Sequence, residues 1–330
     1  MKKIGLIILW ALLIIGMLTF FVTRKSYSVS LNEPRVFKDS LSLIKEGFCH
    51  RWGLMQYVND KLYFVYWNEG VLIQYGIQKW EVEKKYGSKG RGPTENVNTI
   101  YYEIKEDSYV TYDSGKYSIQ EVSFNDSLLF YQKIKVPLEQ TIKVGDSFLF
   151  TGPDDTSDLL KKFMKFNMKT SVLEEIEVDA PQLKEQYSDK VYWGSFVKNK
   201  SYEVYYAFYY KTFFVFDEDF NFLYTQDMIY DVPRPRFKKV IGGVIPERGL
   251  TVANPGAFLD ENNQLYILSN ITEEKSTDYT VVDVYDVITR EYMSSFKVPF
   301  FEEEKAREIV KKDNILYVLY ENAITAYEIN

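Results

Sequence analysis

One cysteine and one histidine in 330 residues remove most familiar site chemistry at the outset. Cys49 alone cannot close an intramolecular disulfide, so cysteine usage neither supports nor opposes an oxidising compartment. With His50 the only imidazole, a two-histidine zinc motif is impossible, and a Ser-His-Asp arrangement would have to be built on that one residue. Cys49 and His50 are adjacent, which does not make them nucleophile and base, because that pairing needs convergence in space with an orienting third group. A basic surplus is missing too: 40 Lys and Arg against 47 Asp and Glu leave a net charge of −7, which argues against a nucleic-acid partner. Helical periodicity is scarce; the best stretches, Thr156 to Met168 and Phe301 to Lys312, are short and charged and read as turns on a β scaffold. No catalytic residue, metal site or cofactor is expected.

At the front, Lys2 and Lys3 precede an uncharged stretch from Ile4 to Val22, which ends at Thr23-Arg24-Lys25. Its nineteen residues would span roughly 28 Å as a helix, close to the ~30 Å hydrocarbon thickness of a bilayer. That is longer than the ~7–15-residue core of a cleaved leader, and Arg24 and Lys25 stand where small residues should come next. Residues 1–25 read as a signal anchor or transmembrane helix; cleavage near Ser28 and a buried core helix are the competing readings. Lys2, Lys3 and the amino terminus compete with Arg24 and Lys25 over orientation. A short start segment of this form favours export of the residues C-terminal to it. Residues 31–330 are therefore expected in the cell envelope, outside the cytoplasm and tethered to a membrane. A lipid-modified cysteine does not fit, since Cys49 lies far beyond the segment.

What the rest of the chain has in abundance is aromatic side chains, 28 Tyr and 23 Phe, set beside Val, Ile and Thr in short runs of the kind that fill pleated strand faces. The class is all-β. One pattern recurs: a polar turn with Asp or Asn, then an aromatic and β-branched run. It occurs at Asn59-Asp60 to Tyr66, Glu106-Asp107 to Tyr112, Gly145-Asp146 to Phe150, more loosely at Asn199 to Tyr205, and again at Asn263 to Leu268 and Asp313-Asn314 to Leu319. From Tyr63 to Tyr317 five steps average about 50 residues, the length of a propeller blade. Six copies imply a six-bladed β-propeller. Two further strand-like runs come after the other copies, but after Tyr317 only Ala323 to Ile329 remains. A strand from Val36 to Ile44 would supply the missing one and close the ring, covering the edges an open array exposes.

Between the first and second copies runs Lys85-Tyr86-Gly87-Ser88-Lys89-Gly90-Arg91-Gly92-Pro93-Thr94-Glu95. This segment resembles the G-x-K-G-x-G-P-x-E signature of bacterial exported six-bladed β-propellers, often described as TolB-like or NHL-like. The resemblance implies the fold and an exported location, and little chemistry. Many such relatives carry a lipoprotein cysteine at the front, where this chain has a bare hydrophobic segment. Physically, Gly87, Gly90 and Gly92 allow a sharp turn and Pro93 fixes its exit. The same backbone, with Lys89 and Arg91, is a candidate anion contact. It is not a P-loop, since no Lys-Ser or Lys-Thr stands at the required spacing. A second candidate surface is Val232 to Pro255, where Arg234, Arg236, Lys238, Lys239 and Arg248 face the single acid Glu247. Long connections inside compact repeats are functional or solvated insertions.

Carboxylates cluster at Asp154-Asp155, Glu174-Glu175 and Glu302-Glu303-Glu304, but runs of charge mark solvated faces and no pair stands out. Asp217-Glu218-Asp219 with Asn221, and Asp260 to Asn263, offer oxygens to calcium without the pattern of an EF-hand loop. The resulting expectation is a binding or interaction scaffold for a glycan, a peptide or an envelope protein. A carboxylate-dependent glycoside hydrolase or lyase is the alternative, and would need two acids converging in a central pocket.

Overall fold

The aromatic runs pair with their sequence neighbours into six four-stranded antiparallel sheets. The protein, a computed structural model, is described over residues 30–31, 34–48, 54–66, 70–134, 138–152, 159–241, 243–272 and 278–330. Blade 1 comprises Met55–Val58, Lys61–Tyr66, Val71–Gly76 and Glu81–Tyr86. Blade 2 begins at Thr99–Ile104 and ends at Leu128–Lys133, blade 3 runs from Glu139–Val144 to Val172–Ile176, and blade 4 from Gly194–Lys198 to Phe222–Asp227. Blade 5 runs from Gly256–Leu259 to Glu291–Pro299. Blade 6 takes Glu308–Lys312, Ile315–Leu319 and Ala323–Ile329 from the end of the chain, and its fourth strand, Leu41–Phe48, from the beginning.

The ring therefore closes through an N-terminal strand, five residues later than Val36 to Ile44 would have it. Residues 34–38 are used otherwise: Phe37 bridges Ser295 on the outer strand of blade 5 before the chain enters blade 6. The two stretches with the best helical periodicity contain strands, Lys162–Asn167 in blade 3 and Glu308–Lys312 as the innermost strand of blade 6. The only regular helices among the described residues are one turn each, at Pro181–Lys184 and Ser188–Val191. None is long and apolar enough to cross a membrane. The segment from Ile4 to Val22, Cys49, His50 and Asp154-Asp155 all lie outside the described residues.

Burial tracks strand position. Middle strands are covered on both faces by neighbouring blades, so Ser108–Asp113 and Ser147–Gly152 are buried throughout, whereas the outer strands Glu81–Tyr86 and Leu128–Lys133 are mostly exposed. Six apolar clusters fill the six junctions between blades. At the junction of blades 3 and 4, Phe163 packs against Phe196, Tyr205, Phe214 and Phe216 with ring centroids 5.0–6.2 Å apart. Each such ring contributes roughly 1.5–3 kcal/mol by burial. The recurring Asn, Asp and Gly of the repeat have a local cause. Asn59, Asp60, Gly145, Asn263 and Asp313 all adopt positive φ in the turn between first and second strands, where these residue types cost least.

Candidate functional site

Antiparallel order sorts the loops into two sets. Turns between first and second strands, and between third and fourth, lie at one end of the ring. Turns between second and third strands, and the connections from blade to blade, lie at the other. Both basic segments singled out in the sequence are blade-to-blade connections, so they share the second end.

The glycine-rich connection between blades 1 and 2 is folded onto itself. Gly87 takes φ +73°, and the Gly92 N–H donates to the Glu95 carboxylate at 2.6 Å. Lys116 closes the turn by donating to the carbonyls of Gly92 (2.6 Å) and Glu95 (2.5 Å). Asn96, fully buried, donates to the Gly70 carbonyl and accepts from Gln120 at 2.7 Å. Buried Asp113 then gathers the N–H groups of Val97, Asn98 and Gly115. A carboxylate of the chain thus already occupies the place an external anion would take. Lys89 bridges Asn96 through the backbone, and Lys89 and Arg91 both lie at the surface.

The connection between blades 4 and 5 is different. Arg234 pairs with Glu185 and lies over the Tyr192 ring, and Phe237 packs beside Tyr187, so the base of the segment is held to the body. From there Phe237–Val240 and Gly243–Pro246 form a hairpin of their own, joined to no blade. Arg236, Lys238 and Lys239 are exposed, and none of them makes an ion pair within the described residues. Ile241 at the tip is fully exposed, Val240 and Ile245 of the hairpin arms are exposed too, and so are Leu250 and Val252 in the stretch leading to blade 5. Arg236, Lys238 and Lys239 come together on this hairpin; Lys89 and Arg91 belong to a separate loop between other blades.

Around the central channel, charges of opposite sign are largely spent on one another. Lys198 of blade 4 donates to Glu103 of blade 2 at 2.8 Å and to the Lys143 carbonyl of blade 3, and Lys143 lies 3.5 Å from the other Glu103 oxygen. Lys311 of blade 6 reaches Asp260 at 3.4 Å. Because Lys198 is turned toward Glu103, its cross-strand partner Glu203 is left fully buried with neither carboxylate oxygen hydrogen-bonded. Burial pushes the Glu203 carboxyl up to about 8, against the pull of Lys198. Glu308, first residue of the innermost strand of blade 6, is also raised to about 8 by burial, opposed only by the Ile309 N–H. No second carboxylate is among the causes of that shift. Lys161 is pushed down to about 7 by burial, with Asp189 3.8 Å away and Gln140 accepting its hydrogen bond at 2.9 Å. The recess beside it, lined by Phe163, Ile176, Ala180 and Leu183, holds about 130 Å³, well under the ~300–1,000 Å³ of a usual small-molecule site.

The acidic turns considered for calcium serve as hairpin caps. Asp217 accepts the N–H groups of Asp219 and Asn221, and Asp260 those of Asn262 and Gln264. No group of three or more potential metal ligands exists among the described residues. Sequence reasoning did not single out Glu203, Glu308 or Lys161, because each is isolated in a strand or loop and becomes distinctive only through what covers it. Arg35 was missed as well. Its guanidinium is fully buried in a bidentate pair with Asp283 (2.8 Å to each oxygen), and it also donates to the Ile271 carbonyl at 2.7 Å.

No protein-family model matches the chain, and no curated protein matches it. Solved structures do. A member of the DUF4221 family from Bacteroides vulgatus aligns with 93% of this chain and 99% of its own at 12% identity, with a TM-score of 0.53. A luciferin-regenerating enzyme covers 86% of this chain and 92% of its own at 8% identity and TM-score 0.51. A streptogramin B lyase covers 89% and 98% at 9% identity and TM-score 0.50. At such identities the likeness is one of fold, and the expected resemblance to exported bacterial propellers holds for architecture.

Proposed function

We propose that this protein is an exported, membrane-tethered binding scaffold whose contact surface is the hairpin-bearing connection between blades 4 and 5 and whose partner is acidic. The observation that carries the reading is the unpaired cation group Arg236, Lys238 and Lys239 beside the exposed Ile241, on a hairpin held off a closed ring. In a chain of net charge −7 such a group runs against the overall balance. The fold does not draw on it for its core, since these side chains are exposed. An acidic glycan, an acidic peptide or an acidic envelope protein would each complement it. The tether is supported by the uncharged run from Ile4 to Val22. A hydrolase or lyase using two acids draws no support from Glu308, whose raised carboxyl owes its shift to burial and not to a second acid.

The test is a binding screen of the detergent-solubilised full chain against acidic glycans, acidic peptides and envelope extracts, beside a variant carrying Lys238→Glu and Lys239→Glu. Salt-sensitive binding that the variant loses supports the scaffold. Glycan cleavage with no binding that depends on these lysines would overturn it.

A further inference from the structure

The same hairpin carries two features that an acidic partner in solution does not jointly reward. Its cations are matched by any polyanion, but its fully exposed Ile241, with Val240 and Ile245 exposed beside it, gains nothing from one. A bilayer interface rewards both, since anionic headgroups attract the lysines while the apolar tip enters the boundary with the acyl chains. Lys238 and Lys239 precede Val240-Ile241 directly, the order in which long basic side chains reach headgroups above an inserted tip.

The path of the chain points the same way. The N-terminal end of the described chain, Ser30–Leu31, pairs with Tyr230–Asp231, which belong to the very connection that carries the hairpin. Phe237 lies six positions beyond Asp231, and Ser30 lies eight positions beyond Val22, the end of the uncharged run. Eight residues reach at most ~28 Å when extended. A tether of that length, fixed at that connection, holds this end of the ring within reach of the surface in which the tether is set. Each arm of the hairpin adds about 13 Å.

We infer that the hairpin Phe237–Val240 and Gly243–Pro246 docks on an anionic phospholipid surface, with Ile241 as its inserted tip, so that the end of the ring carrying the turns between first and second strands faces away from the membrane. The inference rests on the tethered scaffold reading and names the acidic partner of the same site.

The experiment uses the full chain with Cys49→Ser, labelled with an environment-sensitive fluorophore at Ile241→Cys or, at the opposite end of blade 4, at exposed Lys200→Cys. Each is reconstituted with phosphatidylcholine vesicles with and without phosphatidylglycerol, and quenching by aqueous iodide is measured. The probe at 241 should lose quenching on the order of fivefold on anionic vesicles, as for a group ~5–10 Å into the headgroup boundary. High salt, or added Lys238→Gln and Lys239→Gln, should restore quenching, and the probe at 200 should remain quenched throughout. Equal quenching at 241 and 200 on anionic vesicles overturns the inference. So does protection at 241 by a soluble polyanion but not by vesicles, which leaves the scaffold reading standing. Alkaline carbonate extraction reads the tether separately: protein stripped from vesicles on which 241 is protected refutes the tether and supports the docking.

Discussion

Glu203 is enclosed between blades 3 and 4 with no hydrogen-bond partner for either oxygen, and its carboxyl is raised from the ordinary 4.5 to about 8 by that burial. Below the unfolded value both states hold the proton and burial of the acid carries no titration cost. As pH rises toward 8 the unfolded chain gives up its proton while the folded chain keeps it, so this group's contribution to stability falls across that window. Glu203→Gln should therefore flatten the decline of melting temperature between about pH 5 and 8 and leave stability near pH 4 almost unchanged. Thermal unfolding at several pH values checks it; an unaltered slope would mean that Glu203 is ionised in the fold. In the sequence, Lys198 to Glu203 reads as a polar turn leading into a strand, and the turn is there: Asn199 accepts the N–H groups of Ser201 and Tyr202. What the sequence does not show is that Lys198 leans across two blades to Glu103, because a side chain's choice among distant partners depends on which blades meet.

Among the elements, the segment entering blade 6 is the most revealing. Arg35 pins it to Asp283, whose carboxylate also accepts from Ser295 at 2.5 Å, while the Val36 carbonyl takes the Ser295 N–H. The next strand, Leu41–Phe48, pairs with Ala323–Ile329 along its length, with one irregularity between Leu43 and Lys45. Removing one partner of a buried ion pair strands the other charge, at about 3–5 kcal/mol. Arg35→Ala should lower the melting temperature by roughly 6–20 °C, on the usual scale of ~2–4 °C per kcal/mol, and loosen the edge of blade 6. Hydrogen exchange along 41–48 and 323–329 reads the second effect; protection equal to the unaltered protein would show that the strand holds without its latch. The need for a closing strand was legible from counting, since the final blade was one strand short. Its start was misplaced because Val36 and Phe37 look like strand residues, and they are recruited instead along blade 5 by an arginine whose partner lies 248 residues away.

For the molecule as a whole, stability resides in the six aromatic junctions and function, on this reading, in a hairpin that touches none of them beyond Phe237 at its base. The two are expected to separate. Lys238→Glu with Lys239→Glu should shift stability by no more than about 0.5 kcal/mol, as exposed substitutions do, while abolishing acidic binding; a large loss of melting temperature in calorimetry would show that the hairpin is part of the fold. Architecture could be read from residues because it is local: a turn residue that tolerates positive φ, an aromatic run buried on two faces, and a repeat that neither can complete alone. Charge in Val232 to Pro255 could be read for the same reason. Which of its cations are free could not. Arg234 is taken by Glu185 from the preceding connection, the Gly92 N–H of the glycine loop is taken by its own Glu95, and Lys143, Lys198 and Lys311 are taken by carboxylates of other blades. Ion pairing is settled by proximity in space, and in a ring of repeats that proximity exists only once the blades have packed against one another.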